Sequence, residues 1–91
     1  MTRSFLGVYT ITVPRALASG FANALTSGAT TWEDLEFHAP ESPEHPSASL
    51  RPRGAGYTFF VAPEARAALT RALMAGTSWT SLEGEVVVQV C

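Results

Sequence analysis

The chain alternates between apolar and polar positions in a way that predicts strand, helix and strand, and it does so twice. Residues 5–13 alternate with a period of two and are rich in aromatic and β-branched side chains, which is typical of a β-strand. Residues 57–61 repeat this pattern. After each strand, apolar residues recur at every fourth position, as on the buried face of an amphipathic helix. These residues are Leu17, Phe21 and Leu25 in the first copy, and Ala65, Leu69 and Leu73 in the second.

The two copies align with one residue of slack, and they contain the only tyrosines and tryptophans of the chain. The corresponding pairs include Tyr9 with Tyr57, Trp32 with Trp79, Leu35 with Leu82, and Glu36 with Glu83. An internal repeat defines the architecture of a chain. We therefore interpret the protein as one domain over residues 1–91, built by duplication. Repeat A covers residues 5–38, a proline-rich connecting loop covers 39–56, and repeat B covers 57–90.

The charges favour a particular arrangement of the predicted strands. Acidic residues concentrate in and beside the second strand of each repeat, and the first strands carry none. Charged strands suit the edges of a sheet and uncharged strands its centre. This predicts an α+β fold, a ferredoxin-like β-α-β-β-α-β sandwich. Its antiparallel four-stranded sheet would pair the two first strands centrally, with two helices on one face. An intertwined dimer of the same halves is the alternative.

The composition argues against some classes of function but does not identify a specific function. Of the residues, 46% are hydrophobic and 15% are charged, the net charge is −2, and all six cations are arginines spread along the chain. A nucleic-acid-binding protein normally has a concentrated basic patch, so we expect no nucleic-acid partner. So few charges leave apolar surface exposed, which favours a protein partner or a homodimer. The small size, the arginine-only basicity and the lack of catalytic motifs are also compatible with an accessory protein of a phage or mobile element.

The N-terminus has some features of a signal peptide, but we interpret it as a strand. Arg3 precedes an apolar run, and Ala16-Leu17-Ala18 resembles a cleavage site. However, polar residues interrupt the run, Arg15 lies where a cleavage region is neutral, and residues 57–61 repeat the segment. No stretch approaches the roughly 20 apolar residues of a membrane span. We expect a cytoplasmic protein without a membrane partner.

No motif with a specific catalytic spacing is found, so we expect a protein that is not an enzyme and has no cofactor or metal. Glu36 and His38 lie two apart on a predicted strand, which points both side chains in the same direction, but this spacing alone is unspecific. The single cysteine, Cys91, is the last residue, and the sequence places no cation beside it that would make the thiol reactive.

The uncovered face of the predicted sheet is the expected docking surface. It would have an apolar centre and a polar margin, which is typical of an interaction surface. Two arginines of the connecting loop are a second candidate, because arginine is frequent at interface hot spots. They would alternatively pair with Glu41 and Glu44 in the same loop. The predicted interface residues are Val8, Thr10, Phe60, Val87, Gln89, Arg51 and Arg53.

The leading prediction is a small non-enzymatic protein-binding domain, such as an inhibitor or adaptor, that docks through its open sheet face or an edge strand. Strand 85–90 is the predicted edge. The alternative is a small dimeric ferredoxin-like enzyme or ligand-binding protein with a pocket between sheet and helices. In that alternative, Tyr9, Tyr57, His38 and Glu36 are the candidate site residues.

Overall fold

The computed structural model describes residues 9–42, 44 and 46–91. This part of the chain is α+β, with two helices and two mixed sheets of three and four strands. In chain order the elements are β1 (Tyr9–Val13), α1 (Arg15–Thr26), β2 (Thr31–Trp32), β3 (Leu35–His38), β4 (Ala48–Arg53), β5 (Gly56–Val61), α2 (Pro63–Ala75), β6 (Trp79–Thr80) and β7 (Val86–Val90).

The sheets combine strands from both repeats. The first sheet has the order β1-β7-β6, with β1 parallel to β7 and β6 antiparallel to β7. Strand 85–90, the predicted edge strand, is therefore not an edge, because β7 pairs on both sides. The second sheet has the order β2-β3-β5-β4, with β3 parallel to β5 and antiparallel pairs at both ends. The first strand of each repeat therefore pairs with the last strand of the other repeat.

This pairing differs from the predicted ferredoxin-like sheet. The prediction placed the two first strands side by side at the centre of one antiparallel sheet, but β1 and β5 lie in different sheets and each pairs in parallel. Intertwined halves were the sequence-based alternative for a dimer, and here the intertwining occurs within one chain. Both arrangements bury the same alternate residues, so the alternation of side chains does not distinguish between them.

The sequence-based alignment of the two repeats is wrong for the residues that follow Trp32 and Trp79. The hydrogen bonds of β1 and β5 show the correct alignment. Tyr9 donates its N–H to the carbonyl of Glu85 at 2.8 Å, and Tyr57 donates to Asp34 at 2.9 Å. Val86 is thus the structural counterpart of Leu35. The predicted counterpart, Leu82, is 90% exposed in the loop between β6 and β7. The β6–β7 loop is longer than the Glu33-Asp34 turn between β2 and β3. Its extra residues shift the alignment of the two repeats, so that Val86 and not Leu82 corresponds to Leu35.

One cluster of buried apolar residues lies between the sheets and the helices. The predicted helix stripe is confirmed at Phe21, Leu25, Ala65, Leu69 and Leu73, all of which are buried. Leu17 is the exception, because it is 42% exposed although its counterpart Ala65 is buried. The helices pack against each other, and Arg66 of α2 donates to the carbonyl oxygen of Leu25 in α1 at 3.1 Å.

Strand β4 lies within residues 39–56, the segment predicted to be a connecting loop, so that prediction is wrong for Ala48–Arg53. Ala48 and Leu50 are buried opposite Val61 and Phe59 of β5. Pro52 pairs with Tyr57 on an edge strand, where a missing N–H leaves no ladder bond unmade. The alternation of Ala48, Leu50 and Pro52 with polar residues is a strand pattern, but Pro46 before it and Pro52 within it obscure the signal.

Neither helix in the described part of the chain combines the length and the apolar surface needed to span a bilayer.

Candidate functional site

Strand β1 forms an open edge of the first sheet among the described strands. The bonds from Tyr9 N–H to Glu85 and from Cys91 N–H to Val13 show that odd-numbered residues of β1 direct their backbone groups toward β7. Because successive backbone groups of a strand point in opposite directions, Thr10 and Thr12 direct their N–H and C=O groups toward the open edge. Such groups are a template for pairing with another strand.

A cleft of about 570 Å³ runs along this edge. Four consecutive residues of β1, Tyr9 to Thr12, line it, so the cleft follows the strand's backbone rather than only one of its faces. The other walls come from the start of α1, the β2–β3 turn and the inner face of the second sheet. Their lining residues are Pro14, Leu17, Trp32, Glu33, Asp34, Leu35, Leu50 and Tyr57. We refer to this feature as the β1 cleft.

Several of the side chains that line the β1 cleft are apolar and at least partly exposed. Leu17 projects from the first turns of α1 and is 42% exposed. Trp32 stacks on Phe21 with ring centroids 4.4 Å apart and an interplanar angle of 6°, and this contact holds the partly exposed indole in place. Ile11 is also partly exposed, whereas its counterpart Phe59 is fully buried. An occupant that covered these side chains would remove their apolar surface from water.

Most of the polar side-chain groups that line the β1 cleft are hydroxyls and carboxylates. The two corresponding tyrosines, Tyr9 and Tyr57, both line it, together with Glu33 and Asp34 of the β2–β3 turn. No described residue in the lining is cationic. The cleft can therefore accept hydrogen bonds and attract positive charge.

The structure divides the predicted docking face between the two sheets. Thr10, Val87 and Gln89 lie on the outer face of the first sheet, where Thr10 is opposite Val87. Phe60 lies on the outer face of the second sheet, with its ring centroid 6.0 Å from that of His38. The single continuous face expected from the sequence requires β1 beside β5 and is not formed. Val8 lies outside the described residues.

The predicted arginines are both exposed on the outer face of the second sheet. Arg53 pairs with Glu36, at 3.3 Å between Nη1 and Oε2, and not with a carboxylate of its own loop. Within the described residues Arg51 makes no ion pair. Glu36 also contacts His38, at 2.9 Å between Oε1 and Nε2. The His38 hydrogen bond lowers the pKa of Glu36 below its ordinary value, and the nearby Arg53 charge adds to this effect.

Glu36 and His38 point the same way, as their spacing predicts, but Tyr9 and Tyr57 lie elsewhere, in the β1 cleft. The structure therefore separates the four residues named for an enzyme or ligand site into two pairs, one in the β1 cleft and one on the outer face of the second sheet. Among the residues that the structure describes, no three His, Cys, Asp or Glu side chains are grouped to hold a metal ion.

Sequence reasoning missed the contribution of Leu17 and the Glu33-Asp34 turn to a site. Leu17 fits the helix stripe, so its pattern predicts burial. The available signal was its mismatch with Ala65, because corresponding positions in a repeat that differ in size indicate different surroundings. The position of the turn beside β1 follows from tertiary packing alone.

Comparison of the chain with protein-family models, with curated proteins and with solved structures finds no significant match.

Proposed function

We propose that this protein is a small non-enzymatic protein-binding domain, acting as an inhibitor or adaptor, and that its partner docks in the β1 cleft. The open edge of β1, running along a cleft with exposed apolar side chains, is the observation that supports the proposal. Peptide recognition commonly combines main-chain bonds to a sheet edge with pockets for alternate side chains. Both parts of that combination meet in the β1 cleft.

Two exposed apolar residues on the two helices make a matched test. Leu17 lines the β1 cleft, whereas Met74 on α2 is 66% exposed and lies outside it. Tagged wild-type protein, Leu17→Asp and Met74→Asp would be used as baits in a lysate of the source cells. Neither substitution buries a charge, so both variants should fold, which circular dichroism would verify.

The proposal expects a stoichiometric partner that wild-type protein and Met74→Asp capture and that Leu17→Asp loses. A Phe60→Asp, Val87→Asp double variant tests the outer faces in the same experiment. If the double variant loses the partner and Leu17→Asp keeps it, docking occurs on an outer face and the β1 cleft is the wrong site. If no bait captures a protein, the protein-binding function is wrong.

A small-molecule site is the second candidate, favoured by the volume of the cleft and by its two tyrosines. Ligand pockets typically measure about 300–1,000 Å³ and combine apolar walls with a few polar groups. The β1 cleft, at about 570 Å³ with Tyr9 and Tyr57 in its lining, fits this description. Thermal-shift screening of a metabolite panel would support this candidate if a compound raises the melting temperature of wild-type protein but not of Tyr9→Phe, Tyr57→Phe.

A further inference from the structure

The intertwined repeat gives the protein two corresponding strand edges, and only one of them is covered by a described strand. Strand β5 pairs with β3 on one side and with β4 on the other. Its counterpart β1 pairs with β7 on one side, and no described strand lies on the other. The second sheet therefore shows the first strand of a repeat with a neighbouring strand on each side.

The β4–β5 ladder defines how an occupant of the β1 edge would pair. Strand β4 runs antiparallel to β5, with Arg51 opposite Thr58 and Ser49 opposite Phe60. Ala62 N–H continues the ladder by donating to the Ser47 carbonyl at 2.8 Å. In β1, Thr10 and Thr12 hold the positions of Thr58 and Phe60. They have the backbone donors and acceptors needed for the same ladder.

Two side chains of β1 are more exposed than their counterparts in β5, in agreement with the presence of β4 beside β5 and of no described strand at the open edge of β1. Thr58, beneath the β4 ladder, is 8% exposed, whereas its counterpart Thr10 is exposed. Phe59 is fully buried opposite Leu50 of β4, whereas Ile11 is only partly buried. A strand with an apolar residue opposite Ile11 would complete the burial that β4 provides around β5.

Charge defines the occupant further. Glu33 and Asp34 line the β1 cleft, and its described lining contains no cation. The protein itself has a net charge of −2. Electrostatic complementarity favours a partner segment that carries Lys or Arg, and it disfavours a second acidic copy of this chain.

We propose that the β1 cleft binds an extended basic segment of a partner protein as an antiparallel strand on β1, in the position that β4 has beside β5. The proposal rests on the protein-binding function and specifies its ligand: apolar side chains at alternate positions facing Ile11 and Trp32, and one or more Lys or Arg residues near Glu33 and Asp34.

Thr12→Pro is the sharpest variant for testing strand addition. It removes the N–H that faces the open edge and leaves intact the bonds of Ile11 and Val13 to β7. Thr12→Val is the matched control, because it replaces the same side chain and keeps the N–H. A phage-displayed library of random dodecapeptides, selected on the full-length protein, supplies the probe.

The selected peptides should alternate apolar residues and contain Lys or Arg. Their affinity should fall about tenfold or more with Thr12→Pro, remain within about twofold with Thr12→Val, and weaken with Glu33→Gln, Asp34→Asn. If Thr12→Pro fails to fold, N-methylation of the peptide provides the same test. Two methylated peptides would be compared, one methylated at its odd-numbered amides and one at its even-numbered amides. One of them should lose binding and the other should keep it, because only one of the two sets of amides faces β1.

Amide exchange followed by NMR locates the bound strand. The Thr10 and Thr12 amides should exchange rapidly in the free protein and slowly with the peptide, while Thr58 and Phe60 stay protected in both states. Slow exchange in dilute free protein would mean that another part of the chain covers the edge. Protection that appears only at high protein concentration would mean that a second copy covers it. Either result overturns the proposal.

The results of these experiments distinguish strand addition on β1 from protein binding in general. If Leu17→Asp abolishes partner capture but the selected peptides ignore Thr12→Pro and alternate N-methylation, the partner binds the cleft without extending the sheet. Strand addition is then wrong and the protein-binding function stands. Acidic or helical selected peptides, or none at all, overturn the proposed ligand.

Discussion

The guanidinium of Arg66 in α2 donates a hydrogen bond to the backbone carbonyl of Leu25 in α1, with 3.1 Å between Nη1 and O. That carbonyl lies in the last turn of α1, where backbone acceptors have no partner within the helix. Arg66 also lies over the ring of Phe37, 5.6 Å from its centroid. One side chain thereby links the two helices to the second sheet.

Replacing Arg66 should destabilise the protein more than replacing an exposed arginine. Arg66→Met keeps the apolar stem and removes the hydrogen bond and the cation–π contact, so we expect the free energy of unfolding to fall by about 1–3 kcal/mol. Arg71→Met, on the exposed face of the same helix, should change it by less than about 0.5 kcal/mol. Urea unfolding would measure both, and equal effects would show that the Arg66 contacts contribute nothing.

Leu35 and Leu82 should differ strongly although the sequence pairs them. Leu35→Ala removes a buried side chain and should cost about 2–4 kcal/mol. Leu82→Ala truncates a side chain that is 90% exposed and should cost less than about 0.5 kcal/mol. Val86→Ala should resemble Leu35→Ala in direction, because Val86 is the structural counterpart. A large loss of stability in Leu82→Ala would instead support Leu82 as the counterpart of Leu35.

Two glycine substitutions should shift stability in opposite directions. A Cβ on Gly56 would overlap the carbonyl oxygen of Asp34, which accepts the N–H of Tyr57, so Gly56→Ala should cost about 1–3 kcal/mol. A Cβ on Gly20 in α1 would lie 3.6 Å from Trp32 Nε1, an ordinary contact. Gly20→Ala should therefore stabilise the helix by about 0.5–1 kcal/mol. Thermal melting monitored by circular dichroism would detect both, and shifts of the same sign would contradict the packing described.

Acid should weaken the link between the β6–β7 loop and the start of β4. Glu83 Oε1 accepts hydrogen bonds from the hydroxyl and the N–H of Ser47, at 2.8 and 3.0 Å. The Ser47 hydroxyl bond is the main reason that the pKa of Glu83 lies below its ordinary value. A lowered pKa in the folded state stabilises the protein above the unfolded pKa of about 4.3, and this contribution disappears as the pH falls through the folded pKa.

Glu83→Gln is the matched variant for this pH effect. It keeps the shape and one acceptor oxygen but cannot titrate, so the loss of stability between pH 7 and pH 3 should be smaller than in wild-type protein. Urea unfolding at a series of pH values measures that difference. Identical curves for wild-type protein and Glu83→Gln would refute the linkage.

Much of the local structure could be predicted from the sequence. The buried stripe of α2 follows from the four-residue spacing of Ala65, Leu69 and Leu73, and Gly76 ends that helix in a left-handed conformation. The alternation in β1 and β5 correctly identifies Val13 and Val61 as core residues. These features depend on the periodicity of a single element, which is visible in a short stretch of chain.

The candidate site could be predicted only in part. Tyr9, Tyr57 and Thr10 were named from the sequence and do line the β1 cleft. Leu17 and the Glu33-Asp34 turn were not, because their position depends on elements that are distant in the chain. Phe60 and Val87 were expected on one face, which the separation of β1 from β5 into two sheets prevents.

The sequence by itself indicated the internal repeat, the two helices and most of the side chains of β1, β5, α1 and α2 that face the core, because each follows from residue type and a period of 2 or 3.6. Only the tertiary structure decided which strands lie side by side. Parallel pairing of β1 with β7 and antiparallel pairing of β1 with β5 would bury the same alternate residues, so hydrophobic burial hardly distinguishes them. The choice depends on non-local packing of both helices and both sheets, and it leaves the edge of β1 without a described neighbour.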